Sequence, residues 1–117
     1  MTSKTSDQRL MLELLANENS RDILCLTSKK EYSANQLSNE LDIAPATIYR
    51  NLKNLELAGM IQVVKTIMDN HGNEEKYFRC SIRRIIIDIN NGKLDIRSEN
   101  EDLGDSIIRL WKRIAMS

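Results

Sequence analysis

The chain has 117 residues, the size of one typical domain, with 17 Lys and Arg against 17 Asp and Glu and hence a formal net charge of zero. No apolar run approaches the roughly 18 residues that a membrane helix needs, and the N-terminal segment is unlike a secretory signal, so we expect a cytoplasmic protein without a membrane segment. Zero net charge argues against nucleic-acid binding, for which a basic excess is typical.

Hydrophobic spacing predicts two helices at the start of the chain. After a flexible tail over residues 1–7, apolar residues recur on one helical face between Gln8 and Asn17. Ser20 suits the N-cap of the second helix, because its hydroxyl can accept a hydrogen bond from the first turn. This helix is expected to bury Cys25, as a small apolar side chain, together with the aliphatic residues before it.

A pair of helices separated by only a few residues follows, as in a helix-turn-helix. Ser33 can cap a helix over residues 34–41. Pro45 fits the first turn of the fourth helix, where its missing N–H would be unpaired in any case, and Gly59 can take the left-handed conformation that ends the helix. The apolar positions that should face the core are Ile48, Leu52 and Leu55.

Beyond the fourth helix the pattern changes from helical to extended. Residues 60–68 are rich in Ile and Val and predict a strand, residues 69–73 a turn, and residues 75–82 a returning strand. Alternating isoleucines and an Asn-Asn-Gly sequence predict a second hairpin over residues 85–96. A final helix is expected at about residues 101–116.

Two adjacent segments carry a resemblance to a known family. SANQLSNELDI, over residues 33–43, and APATIYRNLKNLELAGMI, over residues 44–61, resemble the winged helix-turn-helix regulators of archaea and bacteria, notably the ArsR-like group. The pattern T-I-Y-R-x-L-x-x-L-x-x-A-G-x-I leading into a hairpin is fairly specific, and the match covers about residues 8–82. The resemblance implies an α+β fold with a DNA-binding domain over residues 8–84 and an additional hairpin and terminal helix over residues 85–117.

The resemblance also implies that the fourth helix, about 45–59, lies in the major groove of double-stranded DNA with a wing, about 61–82, beside it. The residue types agree, since Arg can pair with guanine or phosphate, and Asn with adenine or phosphate. Ala44 departs from the family, where a Ser or Thr commonly caps this helix. The candidate DNA-binding residues are Pro45, Ala46, Thr47, Tyr49, Arg50, Lys53, Asn54, Lys65, His71, Asn73 and Lys76.

Several of these residues have an ordinary structural alternative. Tyr49 could pack against the second helix instead of contacting DNA, and residues 71–73 could form a plain turn. Wing lysines such as Lys65 and Lys76 could face phosphate or only solvent. The pair Arg83-Arg84 at the end of the wing could bind phosphate or pair with nearby acidic residues.

The sequence shows no catalytic or metal-binding constellation. The only histidine, His71, lies in the predicted wing turn, and Cys25 and Cys80 are 55 residues apart. A nucleophile with its base and a metal-ligand spacing are both missing from this pattern. We therefore expect no cofactor, no metal and no enzymatic activity, while a redox pair of the two cysteines stays open.

The final predicted helix carries the only tryptophan of the chain within an apolar stripe. Because the winged domain already has a core, this stripe needs another surface, either its own hairpin or the same helix of a second chain. Related regulators pair through terminal helices, which favours a homodimer with recognition helices about 34 Å apart. The candidate dimer-interface residues are Leu103, Ile107, Leu110, Trp111 and Ile114.

Together these features favour a sequence-specific DNA-binding transcriptional regulator, with any small-molecule effector unknown. The alternative is a winged-helix protein-interaction module in a larger transcription or chromosome-organising complex, whose outer helix face would be apolar or acidic. Residues 43–84 hold seven basic and four acidic residues, a net charge of +3, so the neutral total arises by cancellation. An excess of this size predicts only moderate, salt-sensitive DNA affinity.

Overall fold

The computed structural model describes residues 3–100, with side chains from residue 8 onward, and divides the chain after Cys80 into a winged unit and a hairpin unit. The predicted terminal helix and its candidate dimer residues lie outside the described residues. No helix in the described part is long and apolar enough to cross a membrane. The elements in chain order are α1 (Ser3–Ala16), α2 (Glu18–Lys29), β1 (Tyr32–Ser33), α3 (Ala34–Leu41), α4 (Pro45–Leu57), β2 (Ile61–Met68), β3 (Glu74–Cys80), β4 (Ile82–Asn90) and β5 (Lys93–Asn100).

The winged unit combines four helices with a three-stranded antiparallel sheet in the order β1-β3-β2. The short β1 pairs with β3 through Tyr32 and Phe78, while β2 pairs with β3 along its whole length. A register shift between Val63 and Lys65 marks a bulge, which locally increases the twist of the wing. This element order confirms the predicted α+β winged helix-turn-helix class with an additional hairpin.

One face of each helix in the helix-turn-helix supplies the core of the winged unit. Leu37 of α3 and Ile48 and Leu55 of α4 are fully buried. Burying an aliphatic side chain of this size stabilises the fold by about 1.5–3 kcal/mol, so these positions anchor α3 and α4 against the rest of the unit. The other buried apolar residues of the winged unit are Met11, Leu14, Ile23, Tyr32, Ala34, Leu52, Met60, Ile61 and Phe78.

Local signals fix the ends of α3 and α4 as the sequence predicts. The Ser33 hydroxyl accepts a hydrogen bond from the Gln36 backbone N–H at 3.2 Å, and the Gln36 side chain accepts one from the Ser33 N–H at 3.0 Å. This reciprocal capping box fixes the start of α3. Pro45 is the first residue of α4, and Gly59 follows the end of α4 with a φ of 73°. That left-handed backbone turns the chain sharply into β2.

The first two helices differ from the prediction at their starts. The α1 backbone is helical from Ser3 rather than Gln8, because neither Pro nor Gly interrupts the segment that we expected to be a tail. The N-cap of α2 is Asn17, not Ser20, and the Asn17 side chain accepts a hydrogen bond from the Ser20 N–H at 3.1 Å. Ser20 instead lies within the helix and is fully buried.

The expected burial of Cys25 is also wrong. The buried face of α2 is formed by Ser20, Ile23 and Thr27, which recur at helical spacing, and Cys25 falls outside this face and is exposed. Cys80, at the end of β3, is partly buried, and both thiols are free. Two of the three inward residues are polar, so hydropathy alone could not identify the inward face.

The hairpin unit is a two-stranded antiparallel ribbon in which β4 and β5 pair along their length. Asn91 and Gly92 form the predicted turn with positive φ values of 55° and 75°. Ile89 pairs with Leu94, and because opposed residues share a face, both lie on one apolar face where they are 78% and 52% exposed. On the opposite face, the Arg97 Nη2 atom forms a salt bridge with the Asp88 Oδ2 atom at 3.2 Å.

Candidate nucleic-acid interface

The two faces of α4 have opposite environments. The apolar positions Ile48, Leu52 and Leu55 are buried at helical spacing. Of the residues between them, Tyr49, Arg50 and Lys53 are exposed, whereas Asn51 is buried. Tyr49 is 59% exposed, so the structure does not support its packing against α2. The buried face thus fixes α4 on the domain and leaves a polar, basic face available to a partner.

The N-terminus of α4 is open to solvent. No side chain caps this end, because Ala44 occupies the N-cap position and has no hydrogen-bonding side chain. Pro45 and Ala46 are exposed, and Thr47 is partly buried. Small side chains here leave the positive end of the helix dipole accessible, which favours the approach of an anion such as a DNA phosphate.

Arg50 and Lys53 are the basic residues of α4, and neither forms an ion pair with an acidic side chain in the described part of the chain. Two basic side chains of the hairpin unit, by contrast, are neutralised by an acidic residue. Arg83 and Arg84 both contact the Glu99 carboxylate, at 3.0 and 3.4 Å. These contacts lower the pKa of Glu99, chiefly through the hydrogen bond from Arg83. The cations of α4 are therefore left to bind an external anion.

The two wing lysines lie on opposite faces of the β2–β3 hairpin. Lys65 pairs with Tyr77 in register and its ammonium lies 4.6 Å from the centre of the Tyr77 ring. The same ammonium forms a salt bridge with Glu31 and donates a hydrogen bond to its carboxylate. This hydrogen bond is the main cause of the raised pKa of Lys65. Lys76 pairs with Thr66 one step along the strands, so it projects from the other face.

A cleft of about 460 Å³ separates the wing from the N-terminal part of α3 and from α4. Three of the predicted DNA-binding residues line it, namely Tyr49 from α4 and Asn73 and Lys76 from the wing. The structure thus brings helix and wing candidates to one opening, whereas Lys65 does not reach it. The remaining lining residues are Ala34, Asn35, Asp69, Glu74, Glu75 and Phe78.

Asp69 organises the tip of the wing. Its Oδ1 atom accepts hydrogen bonds from the backbone N–H groups of His71 and Asn73, both at 2.8 Å, and its Oδ2 atom accepts one from the Asn73 side chain at 3.3 Å. These bonds, led by that from the Asn73 backbone, lower the pKa of Asp69. His71 and Asn73, both candidate DNA-binding residues, are therefore held in one turn by a carboxylate.

We expect the wing tip to lose order when Asp69 is protonated. Because the pKa of Asp69 is lowered in the folded state, its carboxylate contributes fully above the ordinary value of 3.8, and this contribution is lost as pH falls through the folded-state value. Amide hydrogen exchange should show falling protection of His71 and Asn73 over that range. In the Asp69→Ala variant, the His71 and Asn73 amides should show no protection from exchange at any pH. Amides of the central strand β3 serve as the control. Equal protection in wild type and variant would contradict this role.

Sequence reasoning missed one residue of α4. Asn51 lies on the buried face, where it is 5% exposed and accepts a hydrogen bond from the Ser20 hydroxyl at 3.2 Å. A usable signal was present, since Asn51 falls three residues after Ile48 and four before Leu55, on the inward stripe. A polar residue at that position indicates a buried hydrogen bond, although its partner could not be named from the sequence.

The comparisons with known proteins agree with this geometry. Residues 15–64 match the family model of a helix-turn-helix domain. The matched segment runs from the end of α1 through α4 into β2. A search of curated proteins finds no match. The match agrees with the helix-turn-helix arrangement of α3 and α4 in the structure.

Comparison with solved structures identifies the fold of the chain more closely. An ArsR-like transcriptional regulator from Rhodococcus sp. RHA1 superimposes with a TM-score of 0.54 at 22% identity, covering 99% of this chain and 84% of that one. Reduced HlyU from Vibrio cholerae N16961 gives 0.53 at 20% identity, with 67% and 76% covered, and NolR from Sinorhizobium fredii gives 0.53 at 19%, with 68% and 73% covered. The chain thus shares the winged helix-turn-helix fold of these structures, as the resemblance in its sequence implies.

Proposed function

We propose that this protein is a sequence-specific DNA-binding transcriptional regulator that inserts α4 into the major groove. The observation that carries the proposal is the exposed face of α4, where Arg50 and Lys53 have no acidic partner in the described residues, on a helix whose other face is buried. A groove about 12 Å wide accepts such a helix. The protein would act in the cytoplasm by binding and not by catalysis.

Arg50 is the residue best suited to read a base, because its planar guanidinium can donate two hydrogen bonds to guanine. Lys53 suits a phosphate, and Lys76 would contact the backbone from the wing side of the cleft. We leave Lys65 outside the interface because Glu31 and Tyr77 already engage its ammonium. The proposed interface comprises Pro45, Ala46, Thr47, Tyr49, Arg50, Lys53, Asn54, His71, Asn73 and Lys76.

The positive excess around this interface is smaller than the sequence indicates. Arg83 and Arg84 lie in β4 and pair with Glu99 rather than completing the wing. Without them, residues 43–80 hold five basic and four acidic residues, a net charge of +1. Since non-specific affinity grows with the number of neutralised phosphates, it should be weak, and specific binding should depend on Arg50 and Lys53.

We further propose that the protein acts as a homodimer. The support is the apolar stripe of the predicted terminal helix, which includes Trp111. A two-fold axis would place two copies of α4 about 34 Å apart, one helical turn of DNA, and would match a palindromic site. The proposed dimer-interface residues remain Leu103, Ile107, Leu110, Trp111 and Ile114.

A mobility-shift assay with random duplex DNA at low salt, followed by selection of bound sequences from a random pool, tests the proposed function. We expect a weak shift that disappears as salt is raised, and enrichment of one palindromic sequence. The absence of both, together with specific capture of a protein from a transcription or chromosome-organising complex, would identify an interaction module instead.

A further inference from the structure

We propose that the buried hydrogen bond between Ser20 and Asn51 positions the recognition helix, so that Asn51 controls DNA specificity without touching DNA. The inference rests on the proposed function of α4. It assigns a role to two residues that lie outside the proposed interface.

The bond joins two rigid points of the winged unit. Ser20 is fully buried in the first turn of α2, where its backbone N–H donates a hydrogen bond to Asn17 Oδ1 at 3.1 Å. The Ser20 hydroxyl donates a second hydrogen bond to Asn51 Oδ1 at 3.2 Å. Asn51 is the middle residue of α4. The contact therefore ties the capped start of α2 to the centre of the helix proposed to enter the groove.

Stability alone does not explain why an asparagine occupies this position. The Asn51 Nδ2 atom is buried and has no hydrogen-bond partner in the described part of the chain, which leaves the amide half satisfied. An unsatisfied buried polar group costs stability, and the neighbouring position in α4 is filled by Leu52 without this cost. Buried polar pairs of this kind can specify one packing arrangement among several.

The arrangement that matters here is the rotation of α4 about its own axis. Packing of apolar ridges into grooves sets the crossing angle of two helices with a scatter of about 15–20°, so apolar packing alone does not fix one setting of α4. A rotation of about 20° would move an atom at a side-chain distance of about 5–6 Å from the axis by about 2 Å. Arg50 and Lys53 flank Asn51 and would move with it. Hydrogen bonds to base edges fail over that distance, whereas attraction to phosphate persists.

The test uses the full chain with Ser20→Ala and Asn51→Leu combined, which replaces both polar partners by apolar side chains. Affinity is measured for the selected operator and for random duplex at one salt concentration, alongside the melting temperature. We expect the ratio of operator to random affinity to fall by about tenfold or more. Random-duplex affinity should change by less than about twofold, because Arg50 and Lys53 retain their charges. The melting temperature should be unchanged or higher.

Thr27→Val is the matched control. Thr27 is fully buried in the same helix, but its hydroxyl donates to the Ile23 carbonyl at 2.7 Å within α2 and makes no link to α4. This variant should keep the wild-type affinity ratio. Ser20→Ala alone is the second variant, used if the double variant does not fold; it leaves Asn51 Oδ1 unpaired, so its melting temperature should fall, and it should lower the ratio in the same direction.

Two results would overturn the positioning role. One is a folded double variant that keeps the wild-type ratio. The other is a parallel loss of both affinities and of melting temperature, which an ordinary core contact would produce. A wild-type chain that binds no DNA would contradict the proposed function itself, and the positioning role would fall with it.

Discussion

The Arg50→Ala/Lys53→Ala double variant should bind operator DNA about 100-fold more weakly than the wild type at physiological salt. Both side chains are exposed on α4 and lack acidic partners in the described residues, so each is available to DNA. Each lost phosphate contact should also reduce the slope of log affinity against log salt by about 0.9. Titration of labelled operator at several salt concentrations measures both effects.

Lys65→Ala is the matched control for this experiment, because it also removes one exposed lysine from the winged unit. Its ammonium is already engaged by Glu31 and the Tyr77 ring, so neither operator affinity nor salt slope should change appreciably. Melting temperatures should stay close to wild type in every variant, since exposed substitutions usually alter stability by less than about 0.5 kcal/mol. Unchanged affinity in the double variant would show that the exposed face of α4 is not the DNA-binding face.

The helix-turn-helix could be predicted because its signals are local. The hydrogen bonds of Ser33 with Gln36 span three residues, and Pro45 and Gly59 act through their own backbone conformations. The inward stripe of α4 repeats within a single helix. Such features appear in any short window of sequence, so the ends of α3 and α4 and the inward face of α4 could be predicted.

The start of α2 could not be predicted because a distant partner decides it. Asn17 and Ser20 are both good N-cap residues, and sequence preference does not separate them. The structure uses Asn17 as the cap because Ser20 turns inward to Asn51, which lies 31 residues further along the chain. The same orientation of α2, with Ser20 facing the core, leaves Cys25 exposed. A hydrogen bond across the core thus decides between two residues that local preference does not separate.

The sequence overestimates the net positive charge available at the site, again because distant residues pair in the fold. A count by segment treats Arg83 and Arg84 as free cations, but their partner Glu99 follows 16 and 15 residues later on the paired strand. Lys65 is neutralised by Glu31, which precedes it by more than thirty residues. Only the pairing of strands and the docking of the wing reveal which basic residues stay available. Arg50 and Lys53 retain that availability because α4 directs them outward.

Leu110→Asp should convert the proposed homodimer into a monomer and lower operator affinity by about 10²–10⁴-fold. A charge within the apolar stripe would have to be buried at the interface without a partner, which strongly disfavours association. The loss in affinity is large because binding of the second half-site ceases to be intramolecular, and a single winged unit with a net charge of +1 over residues 43–80 has few contacts to offer. Sedimentation equilibrium and operator titration measure the two effects.

Lys112→Asp supplies the control, because helical spacing places position 112 opposite the stripe of Leu103, Leu110 and Ile114. That variant should remain a dimer, although its added negative charge could weaken DNA binding slightly through long-range repulsion. A wild-type chain that is monomeric at every concentration would refute the homodimer. It would instead favour packing of the stripe on the chain's own hairpin, whose apolar face leaves Ile89 and Leu94 78% and 52% exposed. Trp111 fluorescence distinguishes the two cases, since only pairing between chains makes its emission depend on concentration.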